Sequence, residues 1–189
     1  MSKQRLREAL AVWSPLTNEQ WTMLSAVFRA RTIANRDFLA LPGDSNYELY
    51  FVCNGLLRFY YLSPDGKESN KAFVSEGQFA GALISAVQKR PLYYGIQALE
   101  STTLLVADLN AFIALFEQEH AFERIGRKFT EYLLIRKEQR MRSLLEQTAT
   151  ERYQAFCASH PDLVQRVPQY HLASYLGITP EALSKVKGQ

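Results

Sequence analysis

The stretch VPQYHLASYLGITPEALSKVKGQ, residues 167–189, decides how the rest of the chain is read. Two short helices that cross at an angle need a small residue where they touch, a glycine in the turn, and apolar residues at fixed offsets. Ala173 and Gly177 supply the first two, and Leu172, Leu176, Ile178, Leu183 and Val186 supply the rest. Pro168 stands at the start of the first helix. Thr179, Pro180 and Glu181 offer the second an N-cap, an N1 proline and a first-turn carboxylate. Together these features predict a helix-turn-helix, with an ordinary helical hairpin as the alternative.

The positions left facing outward on the second helix are Thr179, Pro180, Glu181, Ser184, Lys185 and Lys187. Their chemistry suits the edges of base pairs. A carboxylate such as Glu181 accepts from cytosine N4, and an ammonium such as Lys185 donates to guanine O6 or N7. The amides that open the first helix, near Gln169 and Tyr170, are placed for phosphate. His171 is read either as a further phosphate contact or as a solvated surface histidine.

Working outward, the 189 residues suit one large domain, or one medium and one small one. A hydrophobic share of 47% and an aromatic share of 12% are enough for a packed core. No run of 18 apolar residues occurs, and MSKQRLREALAVW lacks the apolar stretch of a signal peptide. A cytoplasmic location with no membrane contact is therefore expected. Cys53 and Cys157 are the only cysteines; they exclude a disulfide framework and read as small apolar fillers. Residues 1–120 carry 11 Lys+Arg against 12 Asp+Glu, a net of −1, and residues 121–189 carry 11 against 7, a net of +4. A basic C-terminal part fits a polyanionic partner.

Three regions precede or include this end. In residues 1–120, Leu6, Leu10, Trp13, Leu16, Trp21, Leu24 and Phe28 first mark two helical pieces separated at Pro15. Then Gly43, Gly55, Gly66 and Gly77 space out strand-like runs such as YELYFVCNG and LLRFYYL. Ser63–Pro64–Asp65–Gly66 is a hairpin turn, because Pro presets φ and Gly accepts a positive one. Short strands at this spacing predict an antiparallel sandwich, barrel or roll. GALISAVQ reads as one or two helical turns between strands. Residues 121–147 hold no proline and suit one long helix of roughly 40 Å. Phe122, Ile125, Phe129, Tyr132 and Leu133 form one seam on it, with Leu134, Met141 and Leu145 beside it. That width predicts a dimer interface along the seam, the alternative being an intramolecular core helix. Residues 148–189 hold a short helix, TATERYQAF, and the helix-turn-helix. The fold class is thus α+β, an N-terminal jelly-roll-like β-roll followed by helices.

Roll, long helix, TATERYQAF and VPQYHLASYLGITPEALSKV in that order resemble the Crp–Fnr family of transcription regulators. The likeness covers nearly the whole chain and is most specific over residues 148–187. It implies a homodimer with an effector-binding roll as sensor, a long dimerisation helix, and a helix-turn-helix reading a near-palindromic DNA site. RNA polymerase is a further partner that it implies. The family usually adds a β-hairpin wing after the recognition helix, and here the wing is expected to be truncated or absent. Cyclic-nucleotide binders of the family set a glutamate on the ribose and an arginine on the phosphate. On the register of FAGALISAV and IQALEST those positions fall on Ala82 and Leu92, so cyclic AMP is not expected as a cofactor. Either a different small molecule binds, in a pocket formed by Gly81, Ala82, Leu83, Arg90, Leu92, Tyr93, Tyr94, Lys137 and Glu138, or no ligand does.

Rival readings are weaker. His120, His160 and His171 lie outside the predicted roll, so no cupin-like metal cluster is expected. Neither GxSxG, a P-loop nor a Cys–His signature is present, and no catalytic residue is assigned. A dimeric sensor that acts through protein contacts without DNA is the alternative function.

Overall fold

The strand Glu48–Asn54 is buried at every residue but its last, which places a layer on each of its faces. A strand sends alternate side chains to opposite sides. Here Leu49, Phe51 and Cys53 enter one core, and Tyr50 and Val52 another. The computed structural model, which describes residues 2–188, shows how the two cores are built.

Eight strands form two antiparallel four-stranded sheets. They are β1 (Arg29–Ile33), β2 (Phe38–Ala40), β3 (Glu48–Asn54), β4 (Leu57–Leu62), β5 (Glu68–Val74), β6 (Phe79–Gly81), β7 (Gly95–Ala98) and β8 (Thr102–Asp108). One sheet runs β1-β8-β3-β6 and the other β2-β7-β4-β5, so chain neighbours alternate between sheets, except for the β4–β5 hairpin within the second. The β4–β5 hairpin closes on Gly66 at φ +83°, whose amide donates to Ser63 at 2.9 Å, as Ser63–Pro64–Asp65–Gly66 predicts. The roll interior is filled by Tyr50, Phe59, Leu92, Tyr94, Ile96 and Val106 among others.

Helices cover the outer face of the first sheet. They are α1 (Ser2–Ala11), α2 (Asn18–Ala26), α3 (Leu83–Gln88), α4 (Leu109–Ala114) followed by a 3-10 turn at Leu115–Glu117, and α5 (His120–Glu146). Thr17 and Gln20 form a capping box that starts α2, and Leu6, Leu10 and Leu24 are fully buried beneath α1 and α2. Cys53 belongs to this core, whereas Cys157 is only partly buried.

The long helix corrects the predicted dimer seam. Phe122, Ile125 and Phe129 are buried in the chain's own first core, with Tyr132 and Leu133 packed at its edge. Phe129 meets the rings of Trp13 and Phe79 at 5.6 and 5.7 Å between centroids. Trp13 of the α1–α2 connection packs on Phe129 and Tyr132, so Phe122, Ile125 and Phe129 are not free to meet a partner, while Tyr132 and Leu133 stay partly exposed. The apolar side chains left exposed on α5 are Leu134, Ile135, Met141, Leu144 and Leu145.

The C-terminal helices are α6 (Ala149–Ser159), α7 (Leu163–Arg166), α8 (Gln169–Leu176) and α9 (Pro180–Lys187). A Thr148–Glu151 capping box separates α6 from α5. These helices share a third core with the roll, in which Leu56 and Phe73 pack with Phe156, Leu163, Val167, Leu172, Ala173, Leu176 and Leu183. Among the described residues no helix is long and apolar enough to cross a membrane.

Candidate functional site

The helix pair is assembled as its residue pattern requires. Ala173, Leu172, Leu176 and Leu183 are buried between the two helices and the roll, with Ile178 at the margin. Gly177 ends α8 in the left-handed region at φ +71°, and the Ile178 amide returns 3.1 Å to the Ala173 carbonyl. That is the glycine-terminated helix end, which an L side chain adopts only with strain. Thr179 caps α9, its hydroxyl accepting from the Ala182 amide at 3.2 Å, and Pro180 fills N1.

With Leu183 turned inward, Thr179, Pro180, Glu181, Ser184, Lys185 and Lys187 are all exposed. The Glu181 carboxyl is held below its ordinary range by its own backbone amide and by the Thr179 hydroxyl, so it is an acceptor at neutral pH. Lys187 bridges 3.0 Å to the Gln169 side chain, linking the end of α9 to the start of α8. Gln169 and Tyr170 are exposed, and no side chain caps the amides that open α8.

His171 is a correction. It is buried, 6% exposed, and faces the roll rather than solvent. Asn70 on β5 contacts its ring at 3.1 Å and its carbonyl at 3.2 Å. Burial, and then the nearby Arg58 guanidinium, push its pKa down to about 4. It is neither solvated nor placed to meet a phosphate. Sequence periodicity puts it one residue from exposed Tyr170; the docking of α8 on β5, which decides the matter, is a long-range contact.

Two ionic joints accompany this docking. Arg58, only 3% exposed, binds Glu68 at 2.6 Å, Gln97 at 2.7 Å and Asn70 at 3.2 Å. Arg166 forks between Glu76 and Glu100 at 2.9 Å each. The sequence reading singled out none of these, because their partners lie far apart in the chain.

The predicted effector pocket is brought together only in part. Ala82, Leu92 and Tyr94 are buried in the roll interior, Gly81 and Leu83 are half-buried, and Arg90 and Tyr93 are exposed. Tyr94 donates to the Gly81 carbonyl at 2.8 Å, and the Arg90 carbonyl accepts from Tyr47. Lys137 and Glu138 are exposed on α5. The residue missing from the sequence reading is Lys71. Its ammonium sits 3.9 Å from the Tyr94 ring centroid, with Phe59, Tyr61 and Tyr93 at 5.6 to 5.8 Å. Burial and the charge of Lys137 bring its pKa down to about 8.

Residues 30–119 match the family model described as cyclic nucleotide-binding domain. The roll is similar to a cyclic nucleotide-binding domain over that span. Roll and helices together have the fold of solved Crp/Fnr-type regulators. FixK2 from Bradyrhizobium japonicum superposes with a TM-score of 0.76 at 20% identity, covering 86% of this chain and 84% of that one. A putative transcriptional regulator of the Crp/Fnr family from Eubacterium rectale gives 0.74 at 14%, covering 95% and 85%. A CooA mutant from Carboxydothermus hydrogenoformans gives 0.68 at 22%, covering 91% and 79%. No curated protein matches the chain. Ala82 and Leu92, where the sequence register expects an acid and a base in cyclic-nucleotide binders, are buried in the roll interior.

Proposed function

We propose that this chain is a transcription regulator of Crp/Fnr type that binds DNA through α9 as a homodimer. The observation that carries the reading is the division of α9. Leu183 locks one face into the third core, while Glu181, Ser184 and Lys185 are exposed on the other, with Lys187 held by Gln169 beside the open amides of α8. Such a face presents an acceptor and donors at the spacing a major groove can read.

Dimerisation rests on a different flank of α5 from the predicted one. Leu134, Met141 and Leu145 are exposed to 67%, 53% and 79% and follow one another at seven and four residues. That is the spacing of a coiled-coil seam, and it lies on the helix face opposite the buried Phe129. Two-fold pairing there would set the two copies of α9 to read half-sites one helical turn apart.

Cyclic AMP is not the effector in this reading. A ligand phosphate entering beside Ala82 and Leu92 would be desolvated without its cation, which the energetics of buried charge oppose.

The test is selection from random duplexes followed by titration of the enriched sequence at two salt concentrations. A near-palindrome should emerge. Lys185→Ala should cost about 1–3 kcal/mol and relax preference at one base pair per half-site. Failure to enrich any sequence would overturn the DNA reading.

A further inference from the structure

Between α5, α6 and the C-terminal end of α8 lies a cavity of about 160 Å³. Arg136 and Arg140 on α5 and Arg152 and His160 on α6 line it, and its described lining includes no carboxylate. The neighbouring acids are engaged elsewhere. Glu131 pairs with Arg127 and Lys128, Glu146 with Arg142, and Glu151 closes the α6 cap. Glu138 lies two residues from Arg136, hence on the far side of the helix, where it faces Arg142.

Two of the guanidiniums have a structural task. Arg140 donates to the Tyr175 carbonyl and Arg152 to the Leu176 carbonyl, the latter at 2.8 Å, so both satisfy the end of α8. A helix C-terminus carries roughly half a negative charge, which cannot balance three guanidiniums. The imbalance is visible in the groups themselves. Burial and Arg152 depress Arg140, and burial and Arg136 depress His160. Among the described residues the Arg136 side chain has one hydrogen-bond partner, the Tyr132 hydroxyl at 3.1 Å. Partly buried like charges without a counter-charge are costly, and a bound anion removes that cost.

We propose that this cavity binds the phosphate group of a small phosphorylated metabolite. A guanidinium fork matches phosphate oxygens in pairs, and Arg136 offers one from α5. Arg152, which also donates to the Gln147 carbonyl, adds its charge from α6. The DNA backbone is a poor occupant. The cavity is at the opposite end of eight-residue α8 from Gln169 and Tyr170, about 12 Å away along the helix. A phosphate held here joins the long helix to the helix pair, and the inference stands whether or not α9 binds DNA.

The probe is potassium orthophosphate, titrated calorimetrically into the full chain at constant ionic strength with potassium chloride as the compensating salt. One saturable site per chain is expected, with a melting temperature that rises with phosphate but not with chloride. Arg136→Gln and His160→Gln, which leave the α8 carbonyls capped, should each weaken binding about tenfold. Arg136→Lys should fall between, keeping the charge and losing the fork. A response that chloride reproduces, or affinity unchanged in both neutral variants, would overturn the proposal. So would stoichiometric displacement of the phosphate by duplex DNA, which would move the site to the DNA-facing surface.

Discussion

The ring nitrogen Nδ1 of His171 on α8 lies 3.1 Å from the carboxamide nitrogen of Asn70 on β5. Arg58 donates to the Asn70 oxygen, so the carboxamide presents its N–H to the histidine. Nδ1 must then accept, which requires the neutral ring with its proton on Nε2. Protonation would set two donors against each other beneath buried surface, next to the Arg58 charge.

A pH dependence follows. The folded pKa of about 4 is below the ordinary 6.5, so the unfolded chain binds this proton first. Stability is full above about pH 6.5 and is lost as pH falls from there towards 4. His171 alone should account for about 1–3 kcal/mol of that loss. Thermal melts across this window should therefore be steeper for the unmodified chain than for His171→Gln. Equal slopes would show that folding does not change the proton affinity of His171.

Lys71 works in the opposite range. Its ammonium is enclosed by tyrosine and phenylalanine rings and has been brought down to about pKa 8, so at neutral pH it is a charge held away from water. Methionine fills the same space without the charge and suits an aromatic box. Lys71→Met should stabilise the chain by about 1–2 kcal/mol at pH 7. The gain should shrink as pH rises through 8 towards 10.5, where the folded chain has shed the proton before the unfolded one. A denaturant series at pH 7 and 9.5 measures it. Destabilisation at pH 7 would mean that the rings bind the cation more strongly than burial opposes it.

Gly126 lies inside α5, where alanine would ordinarily gain about 1 kcal/mol of helix propensity. A Cβ there would approach the Phe116 ring to 2.4 Å. Gly126→Ala should therefore destabilise by about 1–3 kcal/mol through overpacking, reversing the usual sign. Chemical denaturation would show it, and truncating Phe116 in the same chain should recover part of the loss.

The oligomer prediction concerns Leu134 and Met141 rather than Phe129. Changing both to Glu should yield folded monomers by sedimentation, because paired carboxylates would be desolvated in the seam. Phe129→Glu should instead unfold the chain, since its ring is buried against Trp13 and Phe79. An unmodified chain that sediments as a monomer at micromolar concentration would refute the seam.

Local signals in the sequence read true. The Ser63–Gly66 turn, the Thr179 cap and the Gly177 helix end each depend on neighbours within a few residues, and the structure places them as read. The register of the helix pair was legible for the same reason, as were the exposed positions of α9. What could not be read was which face of an apolar element meets which neighbour. Phe122, Ile125 and Phe129 have the periodicity of a seam whether the partner is another chain or the α1–α2 hairpin, and only the fold chooses. His171 and Lys71 were misplaced or missed because β5, on which both depend, is remote from α8 and from Tyr93 in the chain.

Because Leu56 and Phe73 of the roll sit in one core with Leu172 and Leu183 of the helix pair, the helix pair is packed as one body with its roll. Turning it against its own roll would expose that core and tear Arg166 from Glu76 and Glu100. Each subunit then behaves as a stiff jaw. In the dimer proposed above, control would act as a pair of callipers does, by changing the gap between two jaws, so that the geometry of the α5 contact would set which half-site spacing fits.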